Sequence, residues 1–207
     1  MEFYPAYWEE PGRTEFESEV TKVQGRKVIL KETYFHPEEG GQPADKGTLN
    51  GNEVKDVQKE DGKIVHYLES SDHGLNPEEN VHGDIDEDFR HYCMRAHTGA
   101  HVVYGAGREV LGDIDYSGFD IGEKKVRIDF ETEAHVDKEK LLKLEELSNQ
   151  IILEDRPVRW KFLDREEIED SREVAFAKEV PEGERVRIIE IEDWDIGVCS
   201  GTHLENT

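Results

Sequence analysis

The chain has 207 residues, of which 50 are acidic and 26 are basic, so its formal net charge is -24. This length suits one large domain or two small ones, each with a modest core. No stretch is apolar enough for a signal peptide or a membrane span, so we expect a globular cytoplasmic protein without a membrane partner. The acid excess disfavours nucleic-acid binding, which would need a local basic strip such as Arg156, Arg159 and Lys161.

The first part of the chain reads as short strands separated by turns. TEFESEVTKV alternates apolar and polar residues, and Gly25 marks a turn before KVIL. Asn50-Gly51 and Asp61-Gly62 are strong signals of two-residue hairpin turns. We therefore predict a small β-barrel-like domain over residues 1–82.

A polar segment with glycine and proline, residues 70–80, precedes a predicted long helix over residues 84–112. Its apolar face is marked by residues at three- and four-residue steps, namely Phe89, Cys93, Ala96, Ala100 and Tyr104. We expect Cys93 to be a buried core residue and Gly112 to end the helix. Gly105 and Gly107 favour a kink or an early end, because each costs about 1 kcal/mol relative to alanine.

The remaining residues predict a mixed α+β domain over residues 83–207. KVRIDF (125–130) reads as a strand, and Asp137 is positioned to cap a second helix over residues 138–154. We expect its buried side to carry Leu141, Leu144, Leu147, Ile151 and Ile152. Residues 158–164 and 184–198 read as strands, so the fold class is α+β, with helices on a mainly antiparallel sheet.

Two pairs of side chains suggest a metal site. His97 and His101 stand four residues apart on the predicted helix, which places both imidazoles on one face. Cys199 and His203 repeat this spacing in a loop, where Gly201 relieves the backbone. Either pair alone is weak, but together they form a nitrogen-and-sulfur ligand set typical of one Zn²⁺ ion. Four protein ligands suit a structural zinc, whereas a catalytic zinc needs an open position, and the sequence leaves both alternatives open.

These residues resemble a known family. The stretches RAHTGAHVVYGAGREVLG and IEIEDWDIGVCSGTHLENT are similar to the two zinc motifs of the editing domain of alanyl-tRNA synthetase and of its free-standing relatives, the AlaX proteins. ETYFHPEEGGQPADKG (32–47) is similar to the glycine-rich motif of the medium-length AlaX group. The likeness covers residues 14–207. His36, Glu39, Gly197 and Ser200 depart from the usual residues of these motifs.

The resemblance implies a trans-editing hydrolase that cleaves the ester bond between serine, or glycine, and the acceptor end of tRNA(Ala). It implies Thr33 as the contact for the substrate hydroxyl, although an ordinary strand threonine explains this residue equally well, and Gln42 as a hydrogen-bonding residue. It also implies that Gly40 and Gly41 let a backbone approach the tRNA end or the other domain, although a simple tight turn explains them as well. We expect Asp129 either to orient a ligand histidine or only to pair with a neighbouring basic residue, and we expect Thr202 to contact substrate.

Two other functions stay open at this point. One is a non-catalytic tRNA-binding module with a structural zinc, and the other is a zinc hydrolase for small esters or amides, which the acid excess favours. A metalloprotease is disfavoured, because Thr98 follows His97 where the HExxH motif has glutamate.

Overall fold

The structure is a computed structural model that describes residues 5–170, 174–175 and 185–207. The chain forms two compact units, residues 1–94 and 95–207. This division falls within a helix, whereas the sequence prediction places a boundary between residues 82 and 83. No helix in the described part of the chain is both long and apolar enough to cross a membrane.

The first unit is a closed six-stranded barrel. Its elements are α1 (Ala6–Glu9), β1 (Glu15–Gln24), β2 (Lys27–Leu30), β3 (Gly47–Leu49), β4 (Asn52–Glu60), β5 (Lys63–Leu68) and β6 (Asn80–Ile85), followed by the start of α2 (Glu87–Leu111). The strand order is β1-β2-β5-β4-β3-β6, with β6 pairing back onto β1. The predicted barrel is therefore confirmed.

Two hairpins of the barrel close through the predicted two-residue turns. Asn50 and Gly51 have φ values of 47° and 78°, and Asp61 and Gly62 have φ values of 48° and 74°. Positive φ at both central residues is the geometry of a type I′ turn, which matches the right-handed twist of the strands. Asparagine, aspartate and glycine tolerate this conformation, which explains why the sequence signal was reliable here.

A buried ion pair lies at the end of the barrel where α2 begins. Arg90 Nε donates to Asp45 Oδ1 at 3.0 Å, and both side chains are almost completely buried. Arg90 also donates to the main-chain carbonyls of Pro11 and Tyr34. Because each nitrogen of this guanidinium meets an acceptor, the first turns of α2 are held within the first unit.

The second unit combines the rest of α2 with one further long helix, a short one, a hairpin and a sheet. The elements after α2 are β7 (Asp115–Ile121), β8 (Val126–Glu131), α3 (Lys138–Leu153), β9 (Val158–Asp164), α4 (Arg165–Asp170), β10 (Val174–Ala175), β11 (Arg185–Ile191) and β12 (Asp195–Val198). The sheet order is β10-β12-β11-β9, and β7 pairs only with β8 among the described strands. The α+β class is confirmed, while Glu184 of the predicted strand lies outside the described residues.

The expected early end of α2 is wrong, since the helix continues to Leu111 before Gly112 ends it with a φ of +83°. Gly105 and Gly107 instead allow side chains from other parts of the chain to pack closely against α2. A Cβ on Gly105 would lie 2.4 Å from Trp194 Nε1, and a Cβ on Gly107 would lie 2.9 Å from Ile114 Cδ1. Dense packing at both positions offsets the low helix propensity of glycine.

The cap of α3 is confirmed, because Asp137 accepts a hydrogen bond from the amide of Lys140 at 2.9 Å. The predicted buried side is only partly right. Ile151 is buried with Val102 of α2 and Ile191 of β11. Leu144 and Leu147 are half-buried along the same helix, whereas Leu141 and Ile152 are 56% and 46% exposed. The predicted apolar stripe is thus wider than the surface against which α3 packs.

Candidate metal centre

Four side chains from two distant parts of the second unit converge at one place. His97 and His101 project from α2, and Cys199 and His203 lie in the loop directly after β12. Their potential ligand atoms all lie within 4.8 Å of one another, so together they could hold a metal ion. The structure thus brings the two predicted pairs together.

Cys199 contacts two of the histidines directly. Its Sγ lies 3.2 Å from His97 Nε2 and 3.5 Å from His203 Nε2. The imidazole of His203 lies close to both rings of the helix pair, with ring centroids 4.5 Å from His97 and 5.1 Å from His101. A thiol surrounded by imidazole nitrogens is a compact donor set for a divalent cation.

The third histidine is oriented by a buried carboxylate. His101 Nδ1 donates to Asp195 Oδ2 at 2.8 Å, so Nε2 is the nitrogen that can bind a cation once it has released its proton. The other oxygen of Asp195 accepts from Arg108 Nη2 at 3.1 Å. Asp195 is almost fully buried, so the arginine offsets part of the cost of burying its charge.

The loop that carries Cys199 is fixed from two sides. Arg187 on β11 donates to the carbonyls of Cys199 and Gly201 at 2.8 and 3.1 Å. The amide of Leu204 donates to the hydroxyl of Thr98 on α2 at 3.0 Å. These bonds hold the loop against the helix that supplies the other two ligands, so the four side chains are preorganised.

Opposite charges favour each other across the cluster. Burial opposes ionisation of the Cys199 thiol, but the charge of His97 and hydrogen bonds from His101 and His97 hold its pKa well below the usual range. Burial also disfavours protonated His101, yet hydrogen bonds to Asp195 and Cys199 raise its pKa to about 10. The Cys199 sulfur and the Asp195 carboxylate therefore favour a positive charge on the neighbouring imidazoles.

Aromatic side chains of the β7–β8 hairpin cover one side of the cluster. The ring of Phe119 lies 4.8 Å from that of His97, centroid to centroid. Burial, followed by the nearby charges of Cys199 and Asp129, raises the pKa of Tyr116 to about 12. The phenol is therefore a neutral hydrogen-bonding group at ordinary pH, and the apolar cover limits the access of water.

Comparisons with known proteins place this geometry in a family context. A family model described as "tRNA synthetases class II (A)" matches residues 9–89. The chain is 41% identical over 208 residues to an alanine–tRNA ligase of Pyrococcus abyssi, 39% identical over 210 residues to that of Thermococcus kodakarensis, and 39% identical over 208 residues to that of Pyrococcus furiosus. Each alignment covers 97% of this chain and 22% of the relative.

The chain is a homologue of one segment of alanine–tRNA ligase. It spans less than a quarter of the length of these relatives, since each alignment covers 22% of the ligase. Because the similarity covers 97% of the chain, it extends over both structural units. This agrees with the resemblance to an AlaX-like editing domain that the motifs indicate.

In this alanine–tRNA ligase homologue, the glycine-rich motif lies in the first unit. Gly40 and Gly41 have φ values of 61° and 79° and form a tight turn closed by two main-chain hydrogen bonds between Glu39 and Gln42. Both glycines are exposed and Gln42 is fully buried. The turn accounts for the glycines locally, and their predicted role at a tRNA end stays a prediction.

Thr33 is buried beside a histidine of the barrel. His66 Nδ1 donates to the carbonyl of Val28 at 3.1 Å, so Nε2 of the neutral ring accepts from the Thr33 hydroxyl at 2.9 Å. The same hydroxyl oxygen accepts from the amide of Phe35 at 3.2 Å. The hydroxyl proton of Thr33 is thus committed, and one lone pair remains for a further donor.

Two predicted residues of the second unit have different surroundings. Asp129 on β8 is 44% exposed and pairs with Arg127 at 3.2 Å. Thr202 is fully buried in the loop between Cys199 and His203. The carboxylate that contacts a histidine of the candidate metal cluster is Asp195, which sequence reasoning missed. A period of two along β12 could have found it, because Asp195, Gly197 and Cys199 share one face of an extended segment.

The predicted basic strip is paired with acidic residues. Arg156 Nη2 lies 2.6 Å from a carboxylate oxygen of Glu154, Arg159 pairs with Glu192 at 3.5 Å, and Lys161 pairs with Glu190 at 2.8 Å. Each positive charge of this strip therefore has a negative neighbour, which weakens its attraction for phosphate.

Proposed function

We propose that this chain is a zinc-dependent hydrolase that removes wrongly attached serine, or glycine, from tRNA(Ala). The observation that carries the proposal is the convergence of His97, His101, Cys199 and His203 in a homologue of alanine–tRNA ligase. Its substrate would be the aminoacylated end of the tRNA, and one Zn²⁺ ion would be the cofactor.

The donor set suits zinc. Zinc–nitrogen and zinc–sulfur bonds of about 2.0 and 2.3 Å in a tetrahedral site place a bound nitrogen and sulfur about 3.5 Å apart. The two contacts of Cys199 Sγ, at 3.2 and 3.5 Å, are close to that separation. When bound, zinc supplies Lewis-acid chemistry, in that it withdraws electron density from an ester carbonyl and makes water more acidic.

The protein's own residues would set the conditions for this chemistry. Asp195 fixes the ring of His101, and Arg187 fixes the loop of Cys199, so the donors need not rearrange when the substrate arrives. Phe119 covers the ring of His97 and would limit the access of water to it. We assign Thr202 to a substrate contact because it lies between Cys199 and His203 in the same loop.

Selection of serine requires a group that recognises the additional hydroxyl. We propose Thr33 for this role, as the resemblance implies, because its remaining lone pair can accept from a serine hydroxyl. A site that hydrogen-bonds a substrate hydroxyl can reject the analogue without it by about 10⁴-fold. Gln42, Gly40 and Gly41 would assist binding of the tRNA end, and Asp195 rather than Asp129 would orient a histidine of the cluster.

Deacylation assays test the proposal directly. Ser-tRNA(Ala), Gly-tRNA(Ala) and Ala-tRNA(Ala) are incubated side by side with the zinc-loaded protein, whose metal content is measured. We expect release of serine or glycine to exceed release of alanine by at least 100-fold. Changing both His97 and Cys199 to alanine should abolish turnover, whereas the exposed His91→Ala on the same helix should retain it.

Other outcomes would favour the alternative functions. Zinc binding with no turnover of any aminoacyl-tRNA would indicate a structural metal in a tRNA-binding module. Hydrolysis of small amino-acid esters without retention on tRNA at low salt would indicate a small-molecule hydrolase. Undiminished deacylation in the double variant would contradict the metal site itself.

A further inference from the structure

One face of the sheet in the second unit continues from the metal cluster to a pair of aromatic rings. The register of β9 and β11 places Phe162 opposite Arg187 and Trp160 opposite Ile189. The amide of Cys199 donates to the carbonyl of Arg187, which extends the same alignment past the end of β12. Two strand spacings, about 10 Å in total, therefore separate the aromatic strand from the strand that leads to Cys199.

The two rings are framed by arginines. Trp160 and Phe162 are half-buried and meet edge to face, with centroids 5.8 Å apart. The guanidinium of Arg185 lies 5.4 Å from the Phe162 centroid, and that of Arg187 lies 5.9 Å from the Trp160 centroid. These four residues are named the aromatic–arginine surface. Aromatic rings and guanidinium planes are the protein groups on which unpaired bases stack, and here both kinds lie next to each other.

The opposite face of the same strand has a different character. Arg159 and Lys161 alternate with the aromatic residues along β9, and each pairs with a glutamate. Arg185 is less tightly paired, since its Nε lies 3.9 Å from Asp164 Oδ1, and its side chain is 48% exposed. In a chain with a net charge of -24, this surface offers an accessible positive charge beside aromatic rings.

Arg187 connects this surface with the metal cluster. The same guanidinium that lies near the Trp160 ring donates to the carbonyls of Cys199 and Gly201. A ligand stacked on the rings would therefore lie next to the loop that supplies two of the four donors. A nucleic-acid strand that presents its unpaired end to the cluster meets both requirements, because its bases stack and its phosphates face arginine.

We propose that the aromatic–arginine surface binds the unpaired 3′-terminal nucleotides of an RNA whose aminoacylated end enters the metal cluster. The proposal rests on the proposed function for the identity of the RNA. Stacking on Trp160 and Phe162 holds the bases, and Arg185 attracts the phosphates. Arg187 positions the stacked end next to the loop that carries Cys199 and His203.

Binding of a short RNA tests the surface without any catalysis. The probe is a 5′-labelled hairpin RNA with an unpaired CCA end, titrated with the full chain at low salt and followed by fluorescence anisotropy. We expect Arg185→Ala and Phe162→Leu each to weaken binding at least 10-fold. Phe162→Tyr, which keeps the ring, should bind within twofold of the parent.

Arg159→Ala is the matched control, because it removes the same charge from a residue of the same sheet that is 68% exposed on the opposite face. It should change the affinity less than twofold. A loss equal to that of Arg185→Ala would show unspecific attraction to phosphate and overturn the proposal. Equal affinity for a blunt-ended hairpin of the same sequence, or no binding by the parent, would also overturn it.

Deacylation kinetics separate failure of this proposal from failure of the proposed function. If the parent deacylates Ser-tRNA(Ala), Phe162→Leu should raise KM at least 10-fold while kcat stays within twofold. An unchanged KM with an active parent would overturn the aromatic–arginine surface alone. Specific binding of the CCA end by a parent that hydrolyses no aminoacyl-tRNA would support the surface and contradict only the proposed function.

Discussion

Asp195 determines which nitrogen of the His101 ring is available to a cation and how that ring is oriented. The carboxylate accepts the Nδ1 proton of His101 and is itself held by Arg108, so the imidazole is fixed in tautomer and orientation. Burial of Asp195 strengthens both bonds, because little water competes for its oxygens. The affinity of the cluster for a metal ion should therefore depend on a residue that does not bind the ion.

Replacement of this carboxylate tests that dependence. We expect Asp195→Asn to lower zinc affinity by about 10- to 100-fold, the usual effect of losing such a partner. Competition with a chromophoric chelator measures the change. Asp129→Asn is the control, since Asp129 pairs with Arg127 on the hairpin, and it should stay within twofold. The reverse ranking of the two variants would assign the orienting role to Asp129.

His66 makes the barrel sensitive to acid. Burial lowers its pKa from 6.5 to about 4, against a smaller opposing effect of the Val28 carbonyl. The unfolded chain takes up a proton near pH 6.5, whereas the folded chain resists it until about pH 4. Stability is therefore present above pH 6.5 and is lost as the pH falls through this window, by up to about 3 kcal/mol.

Urea unfolding at several pH values between 7 and 4 measures this contribution. In His66→Gln, the decrease in unfolding free energy across the window should be smaller than in the parent by about 3 kcal/mol. The exposed His91→Gln should retain the full decrease of the parent. A parent and a His66→Gln variant with the same pH slope would exclude His66 as the cause.

At the scale of helices and strands, the sequence predicted the turns, the helix cap and the helix end, because each of these depends on a few neighbouring residues. These are the Asn-Gly and Asp-Gly turns, the Asp137 cap and the end of α2 at Gly112. The strand β7 (DYSGFDI) was missed, because its glycine and polar residues hide the alternation and it pairs only with β8 among the described strands.

Tertiary contacts explain the failures along the helices. Gly105 of α2 packs against Trp194, which lies far away in the chain, in the turn between β11 and β12. The exposure of Leu141 reflects how much of α3 the sheet covers, which periodicity alone cannot reveal. The two pairs of the cluster were predictable from their spacing, and Asp195 could have been found from the alternation along β12, whereas Arg187 required knowledge of the strand register.

The two glycines at positions 99 and 105 of α2 provide a matched test of this packing. Gly99→Ala should stabilise the protein by up to about 1 kcal/mol, because alanine favours the helix and its Cβ would meet no atom within 4 Å. Gly105→Ala should destabilise it by about 1 kcal/mol or more, the usual cost of overpacking, despite the same gain in propensity. Thermal unfolding measures both changes, and two changes of the same sign would contradict the contact with Trp194.

At the scale of the whole molecule, metal binding and folding of the second unit should be coupled. The four donors come from α2 and from the loop after β12, so an unfolded chain offers them only as separate pairs. An ion that binds the folded state alone, at about 1,000 times its dissociation constant, stabilises that state by about 4 kcal/mol.

Metal removal tests this coupling. Adding a chelator to the zinc-loaded protein should lower the thermal midpoint by on the order of 10 °C. A variant with both Cys199 and His203 changed to alanine should show no such response, because its remaining pair binds weakly. An unchanged midpoint in the parent would mean that folding and metal binding are independent.

The separation of the two ligand pairs also matters while the chain is being made. His97 precedes Cys199 by 102 residues, so the ribosome releases the helical histidines long before their partners exist. A nascent chain of intermediate length would offer a cation only two imidazoles, which bind weakly. Tight binding of an ion by four donors would therefore begin only after the loop that follows β12 has been made.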